Sequence, residues 1–533
     1  MPGSSTDGQQ KGQAQTFTAR SLMPRLAEEW RPRIALLAFF VLLAVLILGA
    51  SLYKKLDHDE NQFIASAYVL AKHGLLPYVD YPYFHVPYLI APYAALFLLT
   101  EHLLMSARLF SAACSIILLA LIACYTARLF AGDTTRTRLA VAAGSMILLA
   151  ANPLFTYTSG LAWNHDVSIM LSLAAAVAFL VGNSATPRKA TNFLAGLLLG
   201  LAIGTRLTAL PLVLPFLAGG VFLYRDAGKQ EALVRTVWFA AGLAVTLLPL
   251  LLFLAAAPEG FLFGNFRYPG LNTAYRQASG FTRAMSPPGK VLFFLERAAD
   301  PGNLLIFVLL GFVIVKIGVR SLWSDSQRHL AFALALIGFA FVGSLAPTPA
   351  FSQYFYALIP FSILATLIGI DRLRHGPYRR TALRFFAVAV IVCGLRGIPS
   401  YWKIFRPGSP EPAVAAEVHR LGREIRHALG TDKVLTLGPI LPLEGGADIY
   451  SQLVTSPFVW RTAHLLSSEQ RARLGIASQS ELAELLRREP PAGVLVGFEG
   501  GGIEEPFVAF AEENGFRPLK LTDAITLWLP AGK

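Results

Sequence analysis

An acidic cluster, Asp57-His58-Asp59-Glu60, holds the residues of this chain whose types and spacing best suit chemistry. It begins a few residues after the first long apolar run, residues 34–52. A charge at membrane depth is costly when it faces lipid, so these carboxylates are expected to border a water-filled cavity and to have a function. One carboxylate there can act as a general base, and several can hold a divalent cation through oxygen ligands.

Cations that can face these acids come later in the chain. Arg206 joins two short apolar runs, 191–204 and 207–224, and is expected at the outer mouth of a cavity or inside it. Arg267 and Tyr354 lie in later polar segments. A base opposite cations and a hydroxyl suits an anionic group such as the phosphate of a lipid carrier.

Composition places these residues in a membrane protein. Hydrophobic residues make up 54% of the 533-residue sequence and charged residues only 15%, with a mean hydropathy of +0.53. Soluble domains carry nearer a quarter of charged residues. The net charge of +13 comes mainly from Lys and Arg in short segments between apolar runs. That distribution indicates membrane topology and no nucleic-acid partner.

The sequence predicts a polytopic α-helical protein with about eleven membrane spans. The first span follows Arg31 and Arg33 and is expected to be an uncleaved anchor with a cytoplasmic N-terminus. Residues 1–30 are rich in Gly, Ser and Gln and are expected to be disordered. The other predicted spans are 107–129, 138–157, 166–183, 191–204, 207–224, 236–257, 303–321, 329–346, 355–372 and 383–400.

The basic loops assign the two sides of the membrane. The basic loops all fall on the cytoplasmic side only if residues 86–100, which contain Pro87 and Pro92, do not cross the membrane. That segment is about 14 residues long and is predicted to be an interfacial or re-entrant part of the first outer loop. The membrane domain, residues 31–400, then has four outer segments: 53–106, 163–166, 258–303 and 347–356.

Residues 401–533 have the composition of a soluble domain, which is expected outside the cytoplasm. Residues 413–429 are predicted to form a helix that ends at Gly430, and residues 434–437 and 494–496 short buried strands of a small α/β domain. The Gly-rich stretch 497–502 lacks the spacing of a phosphate-binding loop and is predicted to be a plain loop.

Taken in order, the motifs resemble the polyprenyl-phosphate-sugar glycosyltransferases of the GT-C superfamily, particularly protein O-mannosyltransferases and the aminoarabinose and galacturonic acid transferases of lipid A. The resemblance covers about residues 30–400. It rests on Asp59-Glu60 after the first span, Gly74-x-x-Pro77-Tyr78, Pro87 before the second span, Asp166 opening the fourth, and Gly196-x-x-x-Gly200-x-x-x-Gly204-Thr205-Arg206.

The resemblance implies a catalytic carboxylate at Asp59, with Glu60 beside it, and a sugar donor on a lipid phosphate. Two positions depart from the family. His85 stands two residues before Pro87 where such transferases often have a Lys before the proline, and Gln353 precedes Tyr354 where some have a Lys. Arg267 or Arg206 is therefore expected to take more of the phosphate-binding role.

A single base is sufficient for this chemistry, since a lipid phosphate leaves as a stable anion while a glycosidase must also protonate its alcohol leaving group. Asp59 would deprotonate an acceptor hydroxyl and the transfer would invert the anomeric carbon, with Asp57 and Glu60 nearby. The expected substrate-binding residues are Asp166, Arg206, Arg267, Tyr354 and His85. No cofactor is required, although Asp57, Asp59 and Asp166 could instead share Mg²⁺ or Mn²⁺.

Several other interpretations stay open. Asp57 or Asp59 could simply cap a helix from Glu60 to Lys72, and Asp166 could cap the fourth span. Arg276, Arg283 and Lys290 could only touch lipid headgroups. An O-antigen polymerase or ligase, or a transporter, would also place charges in a cavity. The expected partners are the lipid donor, an envelope glycan, lipid or protein acceptor, and the bilayer, with a bacterial inner membrane as the location.

Overall fold

A computed structural model describes residues 19–182, 189–223, 228–324, 327–405 and 413–531. Most of the segment expected to be disordered therefore lies outside the described residues, while the first helix already begins at Ala19. The membrane domain contains seventeen helices among the described residues. They are α1 Ala19–Tyr53, α2 His58–His73, α3 Ile90–Phe97, α4 Leu103–Leu129, α5 Thr135–Ala150, α6 Pro153–Thr158, α7 His165–Gly182, α8 Lys189–Thr205, α9 Val213–Phe222, α10 Lys229–Ala256, α11 Pro258–Leu262, α12 Tyr268–Ala278, α13 Pro287–Ala298, α14 Pro301–Ile317, α15 Arg328–Leu345, α16 Leu358–Arg372 and α17 Arg379–Tyr401.

Seven helices in the described part of the chain are long and apolar enough to cross a membrane. They are Trp30–Tyr53, Leu103–Leu129, His165–Gly182, Lys229–Ala256, Arg328–Leu345, Ser352–Arg372 and Arg379–Tyr401. The pair α13 and α14, bent by 94°, gives an eighth if it is one span. Eleven spans are reached only if α5, α8 and the segment Leu207–Phe222 also cross, so the predicted number is not confirmed. Residues 86–100 form the short helical piece Pro87–Phe97.

The glycine pattern around α8 is a packing device. A Cβ atom at Gly196 would overlap the carbonyl oxygen of Phe239 on α10, and one at Gly200 would overlap the side chain of Thr246. Small residues four apart let two membrane helices approach this closely. At the end of the pattern, a Cβ at Gly204 would overlap the ring of Tyr88. The pattern therefore seats α8 on α10 and places the residues after Gly204 against the first outer loop.

Helix α2 opens with a capping box in which the Asp57 side chain accepts a backbone hydrogen bond and Glu60 reaches back to the Asp57 amide. It ends at Gly74, whose left-handed conformation (φ 69°) favours glycine. The predicted helix is present, although it begins at His58, and of the two residues that the sequence offered as its cap, Asp57 and Asp59, Asp57 is the N-cap.

The C-terminal domain is a four-stranded sheet with helices around it. Its strands are β1 Val434–Thr436, β2 Gly493–Val496, β3 Arg517–Lys520 and β4 Thr526–Leu529, in the order β1-β2-β4-β3. β1 and β2 pair in parallel, whereas β2 with β4 and β4 with β3 pair antiparallel. Its helices are α18 Val414–Leu429, α19 Ile440–Glu444, α20 Phe458–Thr462, α21 Ser468–Leu474, α22 Leu482–Arg488 and α23 Glu505–Glu513. The predicted helix and the two predicted buried strands are confirmed, while β3 and β4 were missed.

The C-terminal domain packs on the first outer loop. Phe63 and Tyr93 of the loop share one buried apolar core with Val418 and Leu441 of the domain. The Thr455 hydroxyl donates to the carbonyl of Pro82 at 3.0 Å. The domain therefore lies on the side of the membrane bundle from which the first outer loop emerges.

Candidate active site

Segments far apart in sequence meet beneath the C-terminal domain. They are the start of α2, the turn before α7, the junction between α8 and the 3₁₀ segment Leu207–Leu212, helix α12, and the 3₁₀ segment Ser352–Ala357. The four segments predicted to lie on the outer side thus contribute to one site, together with Arg206. The distribution of Lys and Arg among the loops predicted that these segments lie on one side of the membrane, where they can meet.

Asp59 lies at this site with a largely uncommitted carboxylate. Its side chain is 30% exposed, and His58 Nε2 lies 3.3 Å from its Oδ1. It interacts electrostatically with Arg206, Arg276 and Tyr354. Because its oxygens have no other hydrogen-bond partner among the described residues, Asp59 is available to accept a proton from a bound molecule.

Glu60, the next residue, has a different environment. It is fully buried and accepts hydrogen bonds from Arg108 Nε at 2.8 Å and Arg108 Nη2 at 2.6 Å. The amides of Ala162 and Asp57 donate to it at 2.8 and 3.0 Å. Arg108 in turn donates to the carbonyls of Ser51, Lys54 and Lys55. Glu60 therefore fixes the start of α2 against α1, α4 and the turn before α7, and its geometry makes it a positioning residue.

Asp166 belongs to a second buried group behind the site. Its Oδ2 accepts the Gly160 amide at 2.8 Å, and it interacts electrostatically with Lys54. Lys54 Nζ also donates to the carbonyls of Tyr157 and Ser159, at 3.0 and 2.6 Å. Together these bonds shape the turn that carries Asn164 and His165 into the site.

Arg206 and Tyr354 form one wall of the site, called the cationic wall because the Arg206 guanidinium gives it a positive charge. The Arg206 guanidinium lies 4.9 Å from the centre of the Tyr354 ring. Its Nη1 donates to Asn164 Oδ1 at 2.7 Å and its Nε to Thr208 Oγ1 at 3.0 Å. The ring of His165 lies nearly parallel to the Tyr354 ring, with ring centroids 6.1 Å apart. The guanidinium is held in one orientation by neutral partners, so its charge remains free for an anion.

A small cavity adjoins this wall. Arg206, Tyr354 and His165 stand among its polar residues, and Ile169 and Phe361 among its apolar ones. With a volume of about 30 Å³ it has room for roughly one water molecule, so a bound lipid chain would have to lie elsewhere or open the cavity further.

His85 also reaches the site, between aromatic rings. Its imidazole lies 5.2 Å from the ring of Phe63 and 6.3 Å from that of Tyr83. Burial, reinforced by the charge of Arg206, lowers the pKa of His85 to about 3. At neutral pH it is therefore uncharged, and it can contribute a hydrogen bond to a substrate but no positive charge.

Arg267 makes no contact with the other predicted phosphate ligands in the described part of the chain. It ends the π-helical turn Phe263–Arg267 with an exposed side chain, and it has no hydrogen bond or ion pair among the described residues. Two further basic residues of this loop also face elsewhere. Arg283 pairs with Glu296, and Lys290 Nζ donates to the carbonyl of Leu345 at 2.8 Å.

The structure adds site residues that sequence reasoning missed. From the sequence, Arg276 was interpreted as a possible contact of lipid headgroups. In the structure it interacts electrostatically with Arg461 and Asp59. Arg461 of the C-terminal domain is buried, lies 4.6 Å from the Phe458 ring centre and donates to Asn272 Oδ1 at 3.2 Å. No local pattern marks Arg461, because its role comes from how the C-terminal domain sits on the loop.

Glu499 is a second missed acid and lies in the Gly-rich stretch. Burial raises its pKa, while the charges of His58, Arg461 and Arg276 act in the opposite direction. The amides of Gly497 and Phe498 donate to Glu504 Oε2 at 2.7 and 3.1 Å. Since these amides already have a partner, the stretch offers no phosphate cradle there and acts as a loop that carries Glu499.

The acids divide into two sets with respect to metal binding. Asp57, His58 and Asp59 each have a ligand atom within 4.8 Å of the other two, and Asp166 is not part of that group in the described structure. A cation shared by Asp57, Asp59 and Asp166 therefore does not fit the geometry. Two carboxylates with an imidazole suit Mn²⁺ or Zn²⁺ better than Mg²⁺, which prefers oxygen ligands.

Comparisons with known proteins agree with this arrangement. Residues 80–255 match the family model for dolichyl-phosphate-mannose-protein mannosyltransferases. ArnT from Cupriavidus metallidurans bound to undecaprenyl phosphate has a similar structure, with a TM-score of 0.61, 14% identity, and coverage of 92% of this chain and 97% of ArnT. Its apo state gives 0.59 at 14% identity, covering 93% and 98%.

A second solved protein shares the architecture more distantly. The Archaeoglobus fulgidus oligosaccharyltransferase in the apo form matches with a TM-score of 0.52 and 11% identity, covering 89% of this chain and 71% of that chain. No curated protein matches the sequence. The likenesses include the C-terminal domain as well as the helical bundle. The predicted resemblance is confirmed, and the chain is an integral membrane protein with the fold of the GT-C glycosyltransferases.

Proposed function

We propose that the protein moves a sugar from a polyprenyl-phosphate donor to an acceptor at the outer face of a membrane. The observation that carries this proposal is the placement of the uncommitted Asp59 carboxylate opposite the Arg206–Tyr354 wall. A base facing an oriented cation is what transfer from a phosphate leaving group requires. The GT-C fold, and the undecaprenyl phosphate that the structurally similar ArnT binds, support the donor class.

In the proposed reaction, Asp59 takes the proton of an acceptor hydroxyl as its oxygen attacks the anomeric carbon of the donor sugar. The bond from that carbon to the phosphate oxygen breaks, and the electron pair leaves with the lipid phosphate. Arg206 and Tyr354 stabilise the departing phosphate, with His85 as a neutral hydrogen-bonding neighbour. Attack opposite the leaving group inverts the anomeric carbon, and the proton ends on Asp59.

The C-terminal domain would border the acceptor side. Arg461 and Glu499 reach the cavity from this domain, while Arg276 comes from α12 beneath it. An acceptor hydroxyl that approaches Asp59 would therefore pass between the domain and the third outer segment. This route suits an envelope glycan, lipid or protein as the acceptor, and the proposed location of the reaction is the extracytoplasmic side of a bacterial inner membrane.

Mass spectrometry of envelope lipids and glycans tests the proposal in cells. Cells with the gene are expected to carry a sugar that is missing from cells without it. Wild-type protein should restore the sugar, and an equally expressed Asp59→Asn variant should not. An unchanged glycan and lipid profile after deletion, with accumulation of a small solute on one side of the membrane, would favour a transporter instead.

A further inference from the structure

A second cluster of polar side chains lies away from the active-site cavity, where the two domains meet. His102 immediately precedes α4 of the membrane domain. His419 lies within α18 and Glu444 ends α19, both in the C-terminal domain. One potential ligand atom from each lies within 4.8 Å of the other two. Nothing in the proposed sugar transfer uses these residues.

Glu444 is held in place by the membrane domain. Its carboxylate is buried, and it accepts the amides of Leu103 at 3.1 Å and Leu104 at 3.0 Å. These amides belong to the first two residues of α4, and a negative charge is favourable at the N-terminus of a helix. His419 Nδ1 lies 3.0 Å from Glu444 Oε1. A carboxylate of one domain thus caps a helix of the other and faces an imidazole.

The two imidazoles lie against each other beside this carboxylate, with ring centroids 3.9 Å apart. Two imidazoles and a carboxylate make a donor set typical of Zn²⁺.

The spacing is close to what zinc requires. Zinc bonds to these ligands are about 2.0–2.2 Å long, which separates adjacent ligand atoms of a tetrahedron by roughly 3.3 Å. The His419–Glu444 separation of 3.0 Å already meets this condition. His102 supplies the third potential ligand atom, within 4.8 Å of the other two, and its ring has no hydrogen bond among the described residues that binding would break. Glu101, the residue before His102, interacts electrostatically with His419.

We propose that His102, His419 and Glu444 bind a zinc ion that fastens the C-terminal domain to the membrane domain. The ion would link the start of α4 to α18 and α19. It would hold the domain that carries Arg461 and Glu499 over the cavity without entering the reaction. The proposal therefore stands or falls independently of the sugar donor and acceptor.

The test measures zinc on the full-length protein in detergent. Protein stripped with EDTA is re-equilibrated with limiting Zn²⁺, and bound metal is counted by mass spectrometry. His102→Ala should bind one equivalent less than wild type, whereas His427→Ala, a change at an exposed position of the same helix α18, should bind as much as wild type. Comparing variants cancels zinc held elsewhere, for example at Asp57-His58-Asp59.

Two further measurements keep the test decisive if a variant folds poorly. Zn²⁺ should raise the thermal unfolding temperature of wild type and His427→Ala but not of His102→Ala. Co²⁺ added to stripped wild type should give the visible absorption of a tetrahedral site. Equal zinc content in wild type and His102→Ala, or wild-type protein that takes up no Co²⁺ in that geometry, would overturn the proposal.

Discussion

Asp59 and Glu60 are neighbours of the same chemical class, yet the structure gives them opposite surroundings. Asp59 is 30% exposed and its carboxylate pairs with His58 alone among the described residues, whereas Glu60 is fully buried and accepts four hydrogen bonds. The same contrast separates the cavity, where charges lack full partners, from the buried network behind it. Chemistry is expected where a carboxylate is uncommitted, and rigidity where it is satisfied.

The largest expected effect is a loss of turnover when Asp59, the uncommitted carboxylate, is changed. Asp59→Asn keeps the shape of the side chain but removes the base, so turnover should fall by about 10²–10⁴-fold. Binding of the donor lipid should change little, because the cationic wall is intact. Transfer by the purified variant in liposomes measures the first effect and titration of a donor analogue the second. Near-wild-type turnover would remove Asp59 from the mechanism.

For the buried carboxylate, Glu60→Gln should lower the free energy of unfolding. The change leaves Arg108 as a buried charge without its counter-ion, which costs about 3–5 kcal/mol in the free energy of unfolding. Thermal or denaturant unfolding in detergent measures the loss. The matched control is Glu484→Gln, which breaks an exposed pair with Arg488 and should leave stability unchanged. Similar small effects at both positions would mean that the Glu60 network does not hold the site.

The sequence identified both neighbouring acids but could not assign them different roles. The partners that bury Glu60, Arg108 and Ala162, lie about 50 and 100 positions away in the chain, and no periodicity links them to Glu60. By contrast, the N-cap of α2 could be narrowed to Asp57 or Asp59 from the sequence, because capping depends on a few adjacent residues. Local rules gave the elements of the fold, while long-range contacts decided which charges stay free.

The two arginines proposed for the phosphate provide the next comparison. Arg206 is fixed between Asn164 and Tyr354 at the cavity, and Arg267 is exposed on the third outer segment. Charge-assisted hydrogen bonds to a phosphate contribute about 1.5–3 kcal/mol, so Arg206→Ala should weaken binding of a polyprenyl-phosphate analogue roughly 10- to 100-fold. Arg206→Lys should restore only part, because Lys lacks the planar fork.

Arg267→Ala is the control for this pair of measurements. A charge near headgroups contributes only about 1 kcal/mol and is screened by salt. Its effect should therefore be small and should disappear at high ionic strength. If Arg267→Ala weakened binding as much as Arg206→Ala, the phosphate site would extend to the third outer segment, as the sequence first suggested.

The smallest expected effect concerns Asp57, whose surroundings are intermediate between those of Asp59 and those of Glu60. Burial, reinforced by the charge of Asp59, raises its pKa from 3.8 to about 6. A raised folded-state pKa favours folding most at pH values below about 4, and this contribution is lost as the pH rises through 6. Asp57→Asn can still cap α2 but cannot ionise, so its stability should lack that decline.

The measurement for Asp57 is the difference in unfolding free energy between variant and wild type at pH 4 and pH 7. The difference should move by about 1–2 kcal/mol in favour of the variant at the higher pH. Asp523→Asn, at a fully exposed position of the C-terminal domain, should track the wild type instead. A difference for Asp57→Asn that does not vary with pH would show that Asp57 is charged throughout this range.

An electron cryo-microscopy map of the protein with a bound polyprenyl-phosphate tests the central claim most directly. The account predicts phosphate density against Arg206 and Tyr354, a lipid chain running into the membrane from there, and Asp59 facing the side where the sugar would stand. Phosphate density on Arg267, or a lipid bound away from Asp59, would contradict it.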